Sequence, residues 1–96
     1  MAVYVDDAVW PWRGKQWAHL MADSLDELHE FAQRLGLRRN WFQDRASGAH
    51  YDITDAKREM ALRIGAVPLS RDDVKLYQAV LQNARRQASI LRGSRP

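Results

Sequence analysis

The chain has 96 residues, 46% hydrophobic and 28% charged, with no cysteine and a formal charge of +3. That length makes one domain with a single modest core and no separate cofactor domain. The composition excludes a disordered chain, disulfides, thiolate zinc sites and cysteine nucleophiles, and no apolar run approaches the roughly 18–20 residues that cross a bilayer.

Ala2 to Val5 reads as a first strand, with Val3 and Val5 on one face and Tyr4 on the other. Residues 7–15 read as a loop punctuated by Pro11 and Gly14. Trp10 and Trp12, beside Arg13 and Lys15, either stack a base or fold back over the edge of the core. Gln16 to Ala22 alternates as a second strand and puts His19 on the face of Trp17 and Met21. Ser24, with Glu27 three residues on, has capping-box spacing. Leu25, Leu28, Ala32 and Leu35 then form the stripe of a first helix that Gly36 stops, with His29 as a packed boundary residue on its shoulder.

Trp41 to Gln43 reads as a short third strand, and residues 44–49 as a polar loop that delivers the chain to His50. Thr54 is the expected N-cap of a second helix; Ala56, Met60, Ala61 and Ile64 recur at helical spacing and Gly65 stops it. Ala66 to Leu69 is a brief strand, and Pro68 assigns it to an edge or a strand end. Ser70 is expected to cap a third helix, with Asp73 at the reciprocal position. Val74, Tyr77, Leu81, Ala84, Ala88 and Leu91 make a seam that either docks on its own domain or pairs with a second copy, a homodimer through residues 71–91.

The order β-β-α-β-α-β-α gives an α+β domain over residues 1–92: a small mixed sheet of three to four short strands with three helices packed on it. Residues 93–96 are expected to be a disordered basic tail. Met1 to Asp7 lacks the basic start and long apolar stretch of a signal peptide, so the expected location is cytoplasmic, with no membrane partner. Residues 1–55 carry six Lys/Arg against nine Asp/Glu, and residues 56–96 nine against three. Such asymmetry fits either a polyanionic partner or a solvated basic helix.

The densest set of reactive side chains runs from His50 to Arg58. His50 is the expected general acid or base with Asp52 orienting it, and His19 assists; these three are the catalytic candidates. Thr54, Lys57, Arg58 and Arg39 (or Arg38) are the candidates for holding phosphate at the start of the second helix. The imidazoles and carboxylates would admit a divalent metal as cofactor, but no HExxH is present and the spacing names no metal. The leading reading is a domain that binds, or hydrolyses, a phosphate-bearing ligand such as a nucleotide or a nucleic-acid end. Its rivals are a non-catalytic nucleic-acid-binding module built on the basic C-terminal half, and a homodimeric interaction protein.

Several strings together carry a family likeness: Tyr4-Val5-Asp6, Trp17-Ala18-His19-Leu20, Glu27-Leu28-His29 with Phe31-Ala32, Trp41-Phe42-Gln43, His50-Tyr51-Asp52-Ile53, Lys57-Arg58 and Gly65-Ala66-Val67. The pattern resembles a short bacterial and phage family of unknown function, number 4031, over about residues 2–70, with the last helix and tail outside it. The resemblance implies a small bacterial protein and no particular activity.

Overall fold

The computed structural model describes residues 2–93; from residue 94 the expected tail lies outside the described residues. The elements are β1 (Val3–Asp6), β2 (Trp10–Trp12), β3 (Lys15–Ala22), α1 (Leu25–Arg34), a 3₁₀ turn (Arg39–Trp41), β4 (Gln43–Arg45), β5 (Gly48–Thr54), α2 (Asp55–Arg63), β6 (Val67–Leu69) and α3 (Val74–Gly93). The strands form one mixed sheet in the order β4-β5-β3-β1-β6, with β2 also paired to β3. Among the described residues only β1 and β6 run parallel.

Alternation along the strands sorts the side chains onto two faces. Val3, Val5, Ala18, Leu20, Ala22, Tyr51 and Ile53 meet Leu28, Phe31, Ala32 and Leu35 of α1 and its flank, and Ala61 of α2. Leu20, Leu28 and Ile53 are almost fully buried there, and each contributes about 1.5–3 kcal/mol by leaving water. On the other face Met21 and Leu69 pack with Val80 and Ala84 of α3. Ala84, with Tyr77 and Leu81 partly buried beside it, packs this part of the expected seam on its own sheet, while Val74 is exposed. Gln87 reinforces this by donating its side-chain amide to the Ala22 carbonyl at 2.9 Å. Among the described residues no helix is long and apolar enough to cross a membrane.

The helix caps follow the sequence closely at two ends. Ser24 Oγ accepts from the Glu27 N–H at 3.2 Å and donates to its carboxylate at 3.0 Å, and Thr54 Oγ1 accepts from the Lys57 N–H at 3.3 Å. The α3 start differs: Ser70 Oγ accepts from Asp72 N–H in a preceding turn, and the Asp73 carboxylate takes the Leu76 N–H, so Asp73 is the cap. Pro68 lies on the edge strand β6, whose one partner is β1, where a missing N–H costs no ladder bond.

The sheet itself is larger than the expected three or four strands. The segment 7–15 holds β2, which forms a tight hairpin with β3 through Arg13 and Gly14 at φ 52° and 75°. Two consecutive positive φ values match the twist of a two-residue hairpin. The expected strand Trp41–Gln43 is split: Trp41 ends the 3₁₀ turn, half exposed with Arg38 over its ring at 5.7 Å, and Gln43 opens β4. The expected loop 44–49 contains most of β4, a turn at Ala46–Ser47 and the start of β5. His50 thus stands on a central strand and not at a loop-to-helix junction. β3 and β5 run antiparallel, because the β4–β5 hairpin reverses the chain after α1.

Candidate functional site

The antiparallel register of β3 and β5 sets His19 opposite Asp52. His50 lies two residues before Asp52 on the same strand and so shares its face. This is the α3 face, where Gly48, of the same parity, would bring a Cβ within 3.1 Å of Ala84 Cβ. The cluster is half-sheltered: the side chains of His19, His50 and Asp52 are 30%, 11% and 16% exposed.

Each imidazole is held from behind. Asp6, fully buried at the end of β1, accepts the His19 backbone N–H at 2.6 Å and its ring Nδ1–H at 2.8 Å. Arg71 reaches the same carboxylate at 3.7 Å and supplies countercharge. His50 Nδ1 lies 2.7 Å from the Gly48 carbonyl oxygen. A carbonyl only accepts, so this nitrogen carries the proton. In their neutral forms both rings therefore present a bare Nε2.

Both Nε2 atoms face Asp52 Oδ1, that of His50 at 3.2 Å and that of His19 at 3.8 Å. Gln43 donates its side-chain amide to the other carboxylate oxygen. Among the described residues nothing donates a well-aligned hydrogen bond to Oδ1, which is buried. The short His50–Asp52 distance becomes a hydrogen bond only when His50 takes a second proton. The ligand atoms of the three residues lie within 4.8 Å of one another. Three acceptors turned inward, with no protein donor between them among the described residues, suit a proton or a metal ion.

The proton affinities agree with that geometry. The hydrogen bond to Asp6 raises the pKa of His19 above 6.5, against burial, with the charges of Asp6 and Asp52 adding to the rise. Burial pushes Asp52 upward, but the hydrogen bond and charge of His50, the charge of His19 and the Gln43 bond hold it below 3.8. Trp10 stacks over His19 with centroids 5.7 Å apart and planes 21° apart, and the His50 ring meets His19 edge-on at 5.1 Å.

Two imidazole nitrogens and one carboxylate oxygen suit zinc, manganese or iron(II), and three protein ligands leave coordination positions open for water and substrate. Outer hydrogen bonds from Nδ1 to a carboxylate or a carbonyl are the usual way in which metal-binding histidines are oriented. Here Asp6 and Gly48 stand in those two places.

The three residues expected to carry proton chemistry, His50, Asp52 and His19, are thus brought together. Of the four expected to hold phosphate, Thr54 and Lys57 line a cleft with Asp52, while Arg58 and Arg39 stand elsewhere. Thr54 caps α2. Lys57 Nζ donates to the Leu35 carbonyl at 2.6 Å, closing the end of α1. Arg58 donates to the Asp6 carbonyl at 2.8 Å and pairs with Asp7 at 3.5 Å. Arg39 stands on the α1 face, beside a cavity of about 540 Å³ lined by His29, Gln33 and Tyr51. There His29 Nδ1 and Tyr51 Oη lie 2.9 Å apart, and burial followed by the Arg39 charge lowers the pKa of His29.

Gln43 and Trp10 are site residues that the spacing of the sequence did not pair with His19 and Asp52, whereas Asp6 is among the carboxylates that, with the imidazoles, invite a metal. Asp6 offers a signal, an acid closing an apolar strand, but its partner depends on strand order. Gln43 offers none. The antiparallel β1–β3 pair also separates the acids that end those strands: Asp6 lies at the site, while Asp23 accepts the Ala2 N–H at the far end.

No curated protein and no solved structure matches the chain. A family described as "Protein of unknown function (DUF4031)" matches residues 3–82, extending the likeness beyond residue 70 into the first half of α3. All three histidines, Asp6, Asp52 and Arg71 fall within that span, which covers most of the sequence. The chain is a member of the DUF4031 family.

Proposed function

We propose that His19, His50 and Asp52 hold a divalent cation, and that the domain uses it to bind and hydrolyse a phosphate-bearing ligand such as a nucleotide or a nucleic-acid end. The observation that carries this reading is the inward convergence of two bare Nε2 atoms and one unpaired Asp52 oxygen, each ring fixed through Nδ1. When bound, a divalent ion supplies Lewis-acid polarisation of a phosphoryl oxygen and acidifies water near neutral pH. Hydrolysis then balances simply: water oxygen bonds to phosphorus, the ester P–O bond breaks, and the departing oxygen leaves with a proton from water. No oxidant or reductant is needed. Asp6 fixes the His19 ring, Gln43 fixes the carboxylate, and Trp10 covers one flank.

Bis-p-nitrophenyl phosphate with manganese or zinc tests the reaction. The wild-type chain should release nitrophenolate, chelation should stop it, and His50→Ala should slow it about 100-fold, a loss of about 3 kcal/mol of transition-state stabilisation. Equal rates in wild type and His50→Ala would remove hydrolysis from the account.

A further inference from the structure

Asp52 belongs to two features at once. One side of its carboxylate faces the histidines; the residue also lines a cleft of about 840 Å³ that runs away from them. This volume is in the range of small-molecule sites. Trp12 and Trp17 line it from the β2–β3 hairpin, and Trp41 and Phe42 from the segment leading into β4. The cleft has a structural cause. Among the described residues, strand β4 pairs only with Gly48, Ala49 and His50, and the outer edge of β5 beyond His50 has no strand beside it.

The rings in this cleft are not sealed into the core. Trp12 and Trp41 remain 51% and 49% exposed. Each already carries a guanidinium on its face: Arg13 lies 4.5 Å from the Trp12 centroid and Arg38 5.7 Å from that of Trp41. Trp17 is fixed for this arrangement, its Nε1–H donating to the Trp12 carbonyl at 2.9 Å and its ring tilted 5.5 Å from Trp12. Lys15, Arg45 and Lys57 also line the cleft, against Asp44 and Asp52. Exposed aromatic faces interleaved with cations provide the two interactions that hold an unpaired nucleotide: stacking on the base and attraction for the phosphate. An apolar ligand would use the rings and leave the cations unused; a duplex would hide its base faces from them.

We propose that this cleft binds single-stranded nucleic acid, with bases stacked on Trp12 and Trp41 and a backbone phosphate led toward Asp52. Binding in the cleft stands by itself; the delivery of a scissile phosphate rests on the cation reading given above. Lys57 contributes charge from its place on the Leu35 carbonyl, and Lys15 and Arg45 are the freer contacts.

All four tryptophans of the chain lie in the cleft or against His19, so intrinsic fluorescence reads occupancy directly. The test titrates an octathymidylate and an eight-base-pair duplex into the full chain in EDTA, then repeats the titration with Trp12→Ala, Trp41→Ala and Ile90→Ala. The expected result is quenching by the single strand, at least tenfold weaker binding of the duplex, and roughly tenfold losses for each tryptophan variant. Ile90→Ala, at an exposed α3 position outside the cleft, should bind the strand as wild type does, and binding in EDTA shows that the cleft needs no metal. Affinity should also fall with salt. Circular dichroism on each variant separates unfolding from lost contacts, and Trp41→Phe should restore most of the affinity if the ring acts by stacking. Absence of quenching at millimolar strand, equal binding of duplex, or unchanged binding by both folded alanine variants would overturn the proposal. Strand binding by a chain that takes up no metal would leave the cleft standing and remove only the cation reading.

Discussion

Asp52→Asn should lose about a thousandfold in divalent-ion affinity, roughly 4 kcal/mol, while changing the stability of the metal-free protein in opposite directions at low and high pH. The side chain keeps its shape and its Gln43 contact, but one acceptor becomes an NH₂ donor aimed at His50 Nε2. The Asp52 pKa is held below 3.8, so its ionised form stabilises the fold above 3.8, and this contribution disappears as pH falls through the folded value. The His19 pKa is raised above 6.5, so its stabilisation is complete below 6.5 and disappears as pH rises through the folded value. Between those limits the carboxylate sits beside protonated imidazole, and Asp52→Asn should cost about 1–3 kcal/mol near pH 5. Above the His19 value three acceptors face one another, and the new donor should stabilise by about 0.5–1.5 kcal/mol near pH 8.5. Urea unfolding of both proteins in EDTA at the two pH values measures the reversal. A variant that is destabilised equally at both would mean that the cluster is satisfied by contacts other than a cation.

The strand that carries this chemistry was written in the sequence in a form easily passed over. Ala49, Tyr51 and Ile53 alternate with His50, Asp52 and Thr54, which is the period of a half-buried strand. The helix stripes of Leu28, Ala32 and Leu35 and the two side-chain caps at Ser24 and Thr54 were legible because they depend on neighbours three or four residues away. Convergence of His19 on Asp52 was legible only as a set of residue types, since strand order and register decide it. The phosphate-binding quartet divided for a related reason: Thr54 and Lys57 stay in one cleft with Asp52, but Arg58 is held by the Asp6 carbonyl and Arg39 stands on the α1 face.

Gly48→Ala should be the most damaging small substitution on the site strand, costing about 3 kcal/mol. Gly48 has φ 130°, a conformation that costs any L side chain about 1–3 kcal/mol. Its Cβ would also stand 3.1 Å from Ala84 Cβ and 3.7 Å from the backbone of α3. Neither neighbour is the far end of a flexible chain, so the helix must move away, adding about 1–3 kcal/mol of overpacking. In a domain of this size, each kcal/mol lowers the melting temperature by about 4–8 °C. The expected fall is therefore roughly 12–24 °C, with weaker metal binding as the Gly48 carbonyl shifts off His50 Nδ1. Ala84→Gly in the same chain should recover the packing part and leave the backbone part. Thermal melts of the single and double variants measure both; full recovery in the double variant would show that φ at this position relaxes freely.

The most direct measurement is calorimetric titration of zinc and manganese into the metal-free wild-type chain across pH 6 to 8. Uptake of one ion per chain is expected, tightening as pH rises because both Nε2 atoms must be free of protons. The raised His19 pKa should extend that dependence above 6.5. Absence of binding at every pH, or undiminished binding by a His19→Ala, His50→Ala double variant, would contradict the site.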